Sequence, residues 1–231
     1  MLQIIVAPRN SDLIKPALMD SMFQLRKSIF ADRLQWHVDL EYGRERDIYD
    51  NQNPHYLIAF DSNLPNIALG CWRLLPTTGP YMLSEVFPPL LGDNPAPYSP
   101  NSWEISRFAM ARISSEPRFG FGSLATAMLR ALWCQARRQG LCEIVGVTST
   151  PIERMLVRLG FLVERYDDPR RIGRVNSVAF RLPILDEVER DIFCSSTLPQ
   201  KSATAWRATV GPNGELLQVT DLSSRDRRVV A

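Results

Sequence analysis

Met22, Arg26 and Phe30 recur at a spacing of four, which places all three on one face of a helix. An arginine between core-facing positions must meet an anion or keep access to water, because burying an unpaired guanidinium is costly. Taken alone, the stripe reads as the solvated edge of a helix. The residues that follow widen the choice. Trp36, Asp47 and Asp50 add a second large aromatic and two carboxylates to Arg26 and Phe30 within one short stretch. Such a set can hold a small molecule of mixed charge. Aromatic faces and carboxylates attract a sulfonium or ammonium, and a guanidinium fork grips a carboxylate. Trp36 reads equally well as a core anchor.

The array continues in order. After Arg26, Phe30, Trp36 and the D-x-Y-D run Asp47 to Asp50 come G-x-x-R-L-L-P-T (Gly70 to Thr77), P-Y-M-L (Pro80 to Leu83), Phe87 and W-E-I-S-R-F (Trp103 to Phe108). These long, ordered motifs resemble the signature of the acyl-homoserine-lactone synthases over roughly residues 1–190. The resemblance implies an acyltransferase that joins an acyl thioester to the amine of S-adenosylmethionine, then closes the lactone and releases methylthioadenosine. It implies that Arg26, Phe30 and Trp36 form the S-adenosylmethionine pocket and that Asp47 and Asp50 bind its charged groups. Arg73 and Arg107 would complete the electrostatic cluster, with Glu104 as general base. The product of such an enzyme is a quorum-sensing signal read by a separate transcriptional receptor.

Glu104 and Arg107 lie three apart, so on a regular strand they face opposite sides. Serving one site together requires a bulge or sharp twist. The family's fold resembles that of the GCN5-type N-acetyltransferases, whose central strand carries such a bulge. Otherwise Glu104 simply pairs a neighbouring arginine as part of the structure.

The second substrate has weaker signals. Arg118, Gly120 and Gly122 precede a helix, where glycines let amides approach a ligand's oxygens closely. Similar loops hold pantetheine in acetyltransferase-like folds, but one residue fewer than usual separates Arg118 from Gly120. Met82, Leu83, Phe108, Met110 and Leu124 are candidates for an apolar acyl slot. Synthases for 3-oxo chains often carry threonine at the position of Gly146. With glycine there, and Thr148 two residues on facing the same side, an unsubstituted chain is the expectation. Arg154 and Arg158, four apart on a short helix, match family positions that dock an acidic acyl carrier protein. The alternative is a solvated face laced with Glu153, Glu164, Asp167 and Asp168. Acyl carrier protein and coenzyme A both stand as donors.

The elements that must position these residues follow from periodicity. LQIIVA (2–7) reads as a strand, and Leu18, Met22, Leu25 and Ile29 as a helix capped at Asn10, Ser11 or Asp12 and running to about Phe30. YLIAF (56–60) and IALGCWRLL (67–75) read as an antiparallel pair, with residues 103–112 and 142–147 as further strands. Seven prolines make residues 76–101 irregular. Helices are expected over 124–140, ending at Gly140, and over 151–160, with FLVERY and VNSVAFRL closing the sheet. The order predicts an α/β fold, a single-domain three-layer αβα sandwich around a mixed twisted sheet. It spans residues 1–195, with 196–231 a polar C-terminal appendage, a hairpin or flexible.

Composition narrows the class. Apolar residues make up 45% and charged residues 23% of 231, an ordinary globular balance. A net charge of +2 argues against a nucleic-acid binder, although 24 of the 27 basic residues are arginines. No run of about 18 apolar residues suggests a membrane span, and the N-terminus lacks signal-peptide character. Cys71, Cys134, Cys142 and Cys194 form no CxxC pair, and His37 and His55 are too scattered for a metal site. The expectation is a cytoplasmic enzyme with no metal and no cofactor beyond its S-adenosylmethionine substrate. Two rival readings remain: a coenzyme A-dependent N-acetyltransferase of another amine, and a non-catalytic binder of S-adenosylmethionine or acyl chains.

Overall fold

The computed structural model describes residues 2–111, 123–185, 206–210 and 216–221. Strands apolar on both faces sit between two helical layers, as Leu2–Pro8 (β1) does with its five buried central residues. Pro16–Lys27 (α1) follows, then a π-helical turn Ser28–Arg33, a small hairpin of Leu40–Glu41 (β2) and Arg44–Glu45 (β3), and a 3₁₀ turn Ile48–Asn51. His55–Asp61 (β4) and Leu64–Pro76 (β5) form the expected antiparallel pair. Then come Met82–Glu85 (α2), a 3₁₀ turn Pro88–Leu91, and Ser102–Met110 (β6). Ser123–Arg138 (α3), Glu143–Ser149 (β7) and Thr150–Arg158 (α4) lead to Glu164–Arg165 (β8), Arg170–Ile172 (β9) and Val175–Pro183 (β10).

The sheet runs in the order β1-β4-β5-β6-β7-β10-β8, with β9 also on β10. Every pairing in it is antiparallel except β6 with β7, which makes the sheet mixed. Trp206–Val210 (β11) and Leu216–Asp221 (β12) pair with each other, and β11 extends the sheet beyond β1 in the register Gln3↔Thr209 to Val6↔Trp206. Within residues 196–231, the described parts thus add two antiparallel strands to this side of the sheet.

One face is closed by α3 and α4, whose Leu124, Met128, Leu132 and Leu156 pack on Ile4, Leu57, Trp72 and Leu74. The other is closed by α1 through Leu18, Met22 and Phe23 against Ile5, Tyr56 and Ile58. Beside α1, residues 81–91 cover the far half of that face over Leu75, Val145 and Ala179. This is the αβα sandwich expected. Gly140 ends α3 as expected, at φ +66°, with its amide donating to Arg137 and that of Leu141 to Ala136, a Schellman closure.

Three local expectations need correction. α1 starts at Pro16 with Lys15 as an uncapped N-cap, not at residues 10–12. A helix begun there would need the amide that Pro16 lacks, whereas the first turn tolerates proline. α1 also ends at Lys27, and the chain widens through the π turn before Leu34 donates back to Ile29. Finally, the proline-rich stretch 76–101 carries short helical turns, because Pro88 and Pro89 are pre-set for a first turn.

Candidate active site

Three arginines and three carboxylates close into a ring on the α1 face of the sheet. Arg26 on α1 grips Asp50 with both terminal nitrogens, at 2.8 and 2.9 Å, and its Nε donates to Glu45. Glu45 Oε1 accepts from Arg107 Nε at 3.0 Å, and Arg107 Nη2 donates to Asp47 at 2.6 Å. Asp47 accepts from Arg73, whose Nη1 also lies 3.1 Å from Asp50 and completes the circuit. Arg26, Glu45, Asp50 and Arg73 are fully buried. Charges taken this far from water survive only when paired and hydrogen-bonded on all sides. Alternation of three cations with three anions meets that demand.

Local sequence explains the arrangement. Asp47 and Asp50 cap each other's turn, Asp47 accepting from Tyr49 N and Asp50 from Asp47 N, so the D-x-Y-D spacing is a capping box as well as a pair of ligands. Arg9 donates to the Asp50 carbonyl and pins that turn to the end of β1. The Tyr56 hydroxyl donates to Asp50 Oδ1 at 2.6 Å. Burial alone would raise the Asp50 carboxyl, but the Arg26 and Arg73 guanidiniums and this hydroxyl hold it well below the usual carboxylate range.

The bulge that residues 104 and 107 require is present. Cys71 and Arg73 of β5 pair with Ala109 and Ser106 of β6, so β6 holds one extra residue, Arg107, at φ +55°. Ser106 and Arg107 thereby turn to the same face, where Ser106 Oγ accepts from Arg73 Nε at 3.2 Å. Glu104 lies on this face too, buried, its oxygens accepting from Leu83 N at 2.6 Å and Met82 N at 3.1 Å. Burial pushes the Glu104 carboxyl up to about 7, against those two amides and the nearby Arg73 and Arg107. A buried carboxyl titrating near neutrality beside a charged pocket is suited to moving protons.

Aromatic rings close the ring's outer side. Phe30 and Trp36 stack at 5.4 Å between centroids, and Arg107 lies over Phe30 at 5.5 Å. Trp36 is about half exposed (48%), so it is not the core anchor its type allowed. The π turn creates this stack by carrying the chain past one helical pitch, with Trp36 N donating to Phe30 O.

Beside the ring, β6 and β7 part. Their parallel ladder stops at Ile105↔Gly146, although β6 continues to Met110 and β7 to Ser149. Partly buried Phe108, Met110 and Thr148 lie on the stretches of the two strands beyond that last pair.

The autoinducer synthase family model matches residues 10–192. The chain belongs to the autoinducer synthase family. The acyl-homoserine-lactone synthase of Aliivibrio fischeri is 40% identical over 173 residues, which span 74% of this chain and 89% of that protein. The crystal structure of the AHL synthase LasI matches with a TM-score of 0.77 at 30% identity, covering 87% of this chain and 99% of that one. BjaI, a CoA-dependent acyl-homoserine lactone synthase solved with SAM and isopentyl-CoA, matches with a TM-score of 0.72 at 26% identity over 80% and 85% of the two chains. An acyl-CoA N-acyltransferase from Pseudomonas aeruginosa, 15% identical over 78% and 99% of the chains, shares the fold with a TM-score of 0.50.

In this autoinducer synthase, Arg26, Asp47, Asp50, Arg73 and Arg107 meet in one ring with Phe30, Trp36 and Glu104 at its border. Met82 and Phe108, expected together in an acyl slot, are separated by the sheet. Met82 packs with Tyr49 and Leu83 on the ring's face, and Phe108 packs on Trp72 on the other. The bulge is the reason, since it reverses the alternation of β6 beyond Arg107. Gly146 is held by close approach: a Cβ there would stand 2.6 Å from the Ile105 carbonyl oxygen. Leu124 is buried in the core under α3, while Arg118, Gly120 and Gly122 lie outside the described residues.

Sequence reasoning missed Glu45, which holds two of the three arginines. The one signal was a carboxylate between Arg44 and Arg46 after the Tyr42-Gly43 turn, in a strand of two residues that carries no readable alternation. Tyr56 and Ser106 were also missed, since neither departs from ordinary strand composition.

Proposed function

We propose that this synthase binds S-adenosylmethionine at the arginine–carboxylate ring and acylates its amine, with Glu104 as the base. The observation that carries the reading is the buried Glu104 carboxyl, held by two amides beside a ring of alternating charges. The substrate amine, stripped of a proton by Glu104 directly or through water, attacks the thioester carbonyl. The β6 amides beyond Ile105, which have no β7 partner in the ladder, are suited to receive the oxyanion. The thiol departs, leaving an amide. The methionyl carboxylate then attacks its own γ-carbon and displaces methylthioadenosine from the sulfonium, a step favoured by holding both ends in one pocket. Arg26, Asp47, Asp50 and Arg73 orient the charged groups, and Phe30 and Trp36 offer π faces to the sulfonium. The chemistry asks for no cofactor, because the sulfonium is itself an activated leaving group.

The acyl chain is assigned to the α3 face, entering where β6 and β7 cease to pair beyond Ile105 and Gly146 and bordered by Phe108, Met110 and Thr148. The tight fit of Gly146 favours an unsubstituted chain. The donor carrier docks at α4. Glu153 is taken by Arg165 at 2.5 and 2.8 Å, Glu164 by Arg181, and Asp167 by Arg170 at 2.7 Å. Arg154 and Arg158 are exposed and make no ion pair among the described residues, which leaves the face positive for an acidic acyl carrier protein. Coenzyme A thioesters are the alternative donor, the class named for BjaI. Cytoplasmic action fits Cys71, Cys134 and Cys142, which form no disulfide among the described residues.

The test is mass spectrometry of an organic extract from a bacterial host expressing the chain, against a Glu104→Gln control. An acylated homoserine lactone made only by the parent chain is the expected result and identifies the acyl group. Acylation of some other amine, with no lactone, would favour the N-acetyltransferase reading.

A further inference from the structure

The three ring arginines carry nine guanidinium nitrogens, three on each. Seven of them donate to oxygen, on Glu45, Asp47, Asp50 or Ser106. The other two are Arg73 Nη2 and Arg107 Nη1, and both converge on the thioether sulfur of Met82, at 3.2 and 3.0 Å. A thioether is a weak, neutral acceptor, whereas two converging guanidinium donors are matched to the two oxygens of a carboxylate. Met82 is nearly buried, so water has little room to share the task. Its side chain is unbranched and uncharged, and can swing away without leaving a charge behind. Its backbone is fixed, with the Met82 amide donating to Glu104 Oε2 at 3.1 Å.

We propose that Met82 is an internal placeholder, its sulfur filling the seat between Arg73 and Arg107 that the carboxylate of S-adenosylmethionine takes when it binds. The inference rests on the functional reading above and deepens it. The amine and carboxylate of this substrate share one carbon, so a carboxylate seated at the sulfur presents the amine to Glu104, the base that the Met82 amide holds. One residue thus positions the base with its backbone and yields the anion seat with its side chain. The displaced thioether turns towards Leu83 and Tyr49, its apolar neighbours.

The experiment uses the whole chain labelled with [ε-¹³C]methionine, the Met82 methyl being assigned with Met82→Leu, or Met82→Ile should leucine destabilise the fold. S-adenosylmethionine is titrated first, then its decarboxylated analogue, which keeps the sulfonium, adenosine and amine. The Met82 methyl resonance is expected to move with the first and stay with the second. Calorimetry on Met82→Leu is expected to show about fivefold tighter binding of S-adenosylmethionine, the scale of one weak acceptor no longer displaced, with the analogue unchanged. A Met82 methyl unmoved at saturating S-adenosylmethionine, or moved equally by both ligands, overturns the placeholder while the synthase reading stands. Failure of the parent chain to bind S-adenosylmethionine at all overturns both.

Discussion

The ring around Arg26 and the arginine face around α4 are built from the same residue types and obey opposite rules. In the ring, Arg26 and Arg73 are buried, Arg107 is nearly so, and each carboxylate answers two of the three guanidiniums, so every member is held by several others. On the α4 face the ion pairs are partly exposed and local, and they use up acids so that Arg154 and Arg158 stay unneutralised. The comparison teaches that an arginine's meaning depends on what is left over after pairing. Buried pairs fix geometry and leave almost nothing over. Exposed pairs are worth little to stability, and what they leave over is a field that a partner can feel.

The sharpest way to break the comparison is to remove one cation from the ring. Arg26→Met leaves Asp50 and Glu45 short of their partner, and the expected loss is about 3–5 kcal/mol of stability, read by denaturant unfolding, with synthase activity abolished. Next in size is Glu104→Gln, which removes the proposed base and leaves the ring intact. Turnover should fall roughly a hundredfold to ten-thousandfold with the fold retained. In the parent chain the raised carboxyl is neutral below about pH 7 and anionic above. A base must be anionic, so the rate should climb with pH to a plateau above that value. A pH–rate profile checks this, and the limb should vanish in Glu104→Gln.

Tyr56→Phe deletes one hydrogen bond to Asp50 and should lower stability by about 1–2 kcal/mol while raising KM for S-adenosylmethionine. On the surface, Arg154→Glu with Arg158→Glu should change stability by less than about 0.5 kcal/mol. With an acyl carrier protein donor it should lower kcat/KM about tenfold at low salt, an effect that fades as salt rises. If the surface pair proves as destabilising as Arg26→Met, the contrast between the two regions falls.

Much of this was legible before any coordinates. The strands and α3 declared themselves by apolar runs and helical spacing, and the ordered motifs named five of the ring's six members. What escaped depended on tertiary context. Glu45 sits in a two-residue strand too short to show periodicity, and its burial comes from arginines contributed by α1 and β6. The π turn before Trp36 has no compositional mark, since the chain there differs from an α-helix only in how far it winds. Met82 lies in an apolar motif, but its place under the arginines comes from the docking of α2 on Glu104, and the separation from Phe108 comes from the bulge on β6.

That bulge is, in effect, a parity switch. A strand sorts side chains by odd and even position, and were β6 to keep regular alternation, Arg107 would join Ile105 on the side that faces α3. A guanidinium would then stand in the apolar core, and Phe108 would point at the carboxylates. Bulging at Arg107 holds two successive residues, Ser106 and Arg107, on the ring face, sending the cation to the anions and the phenyl ring to the hydrophobic layer. Deleting Arg107 would therefore straighten the strand, leaving Phe108 and Ala109 on the faces they occupy now while the ring loses one of its three cations.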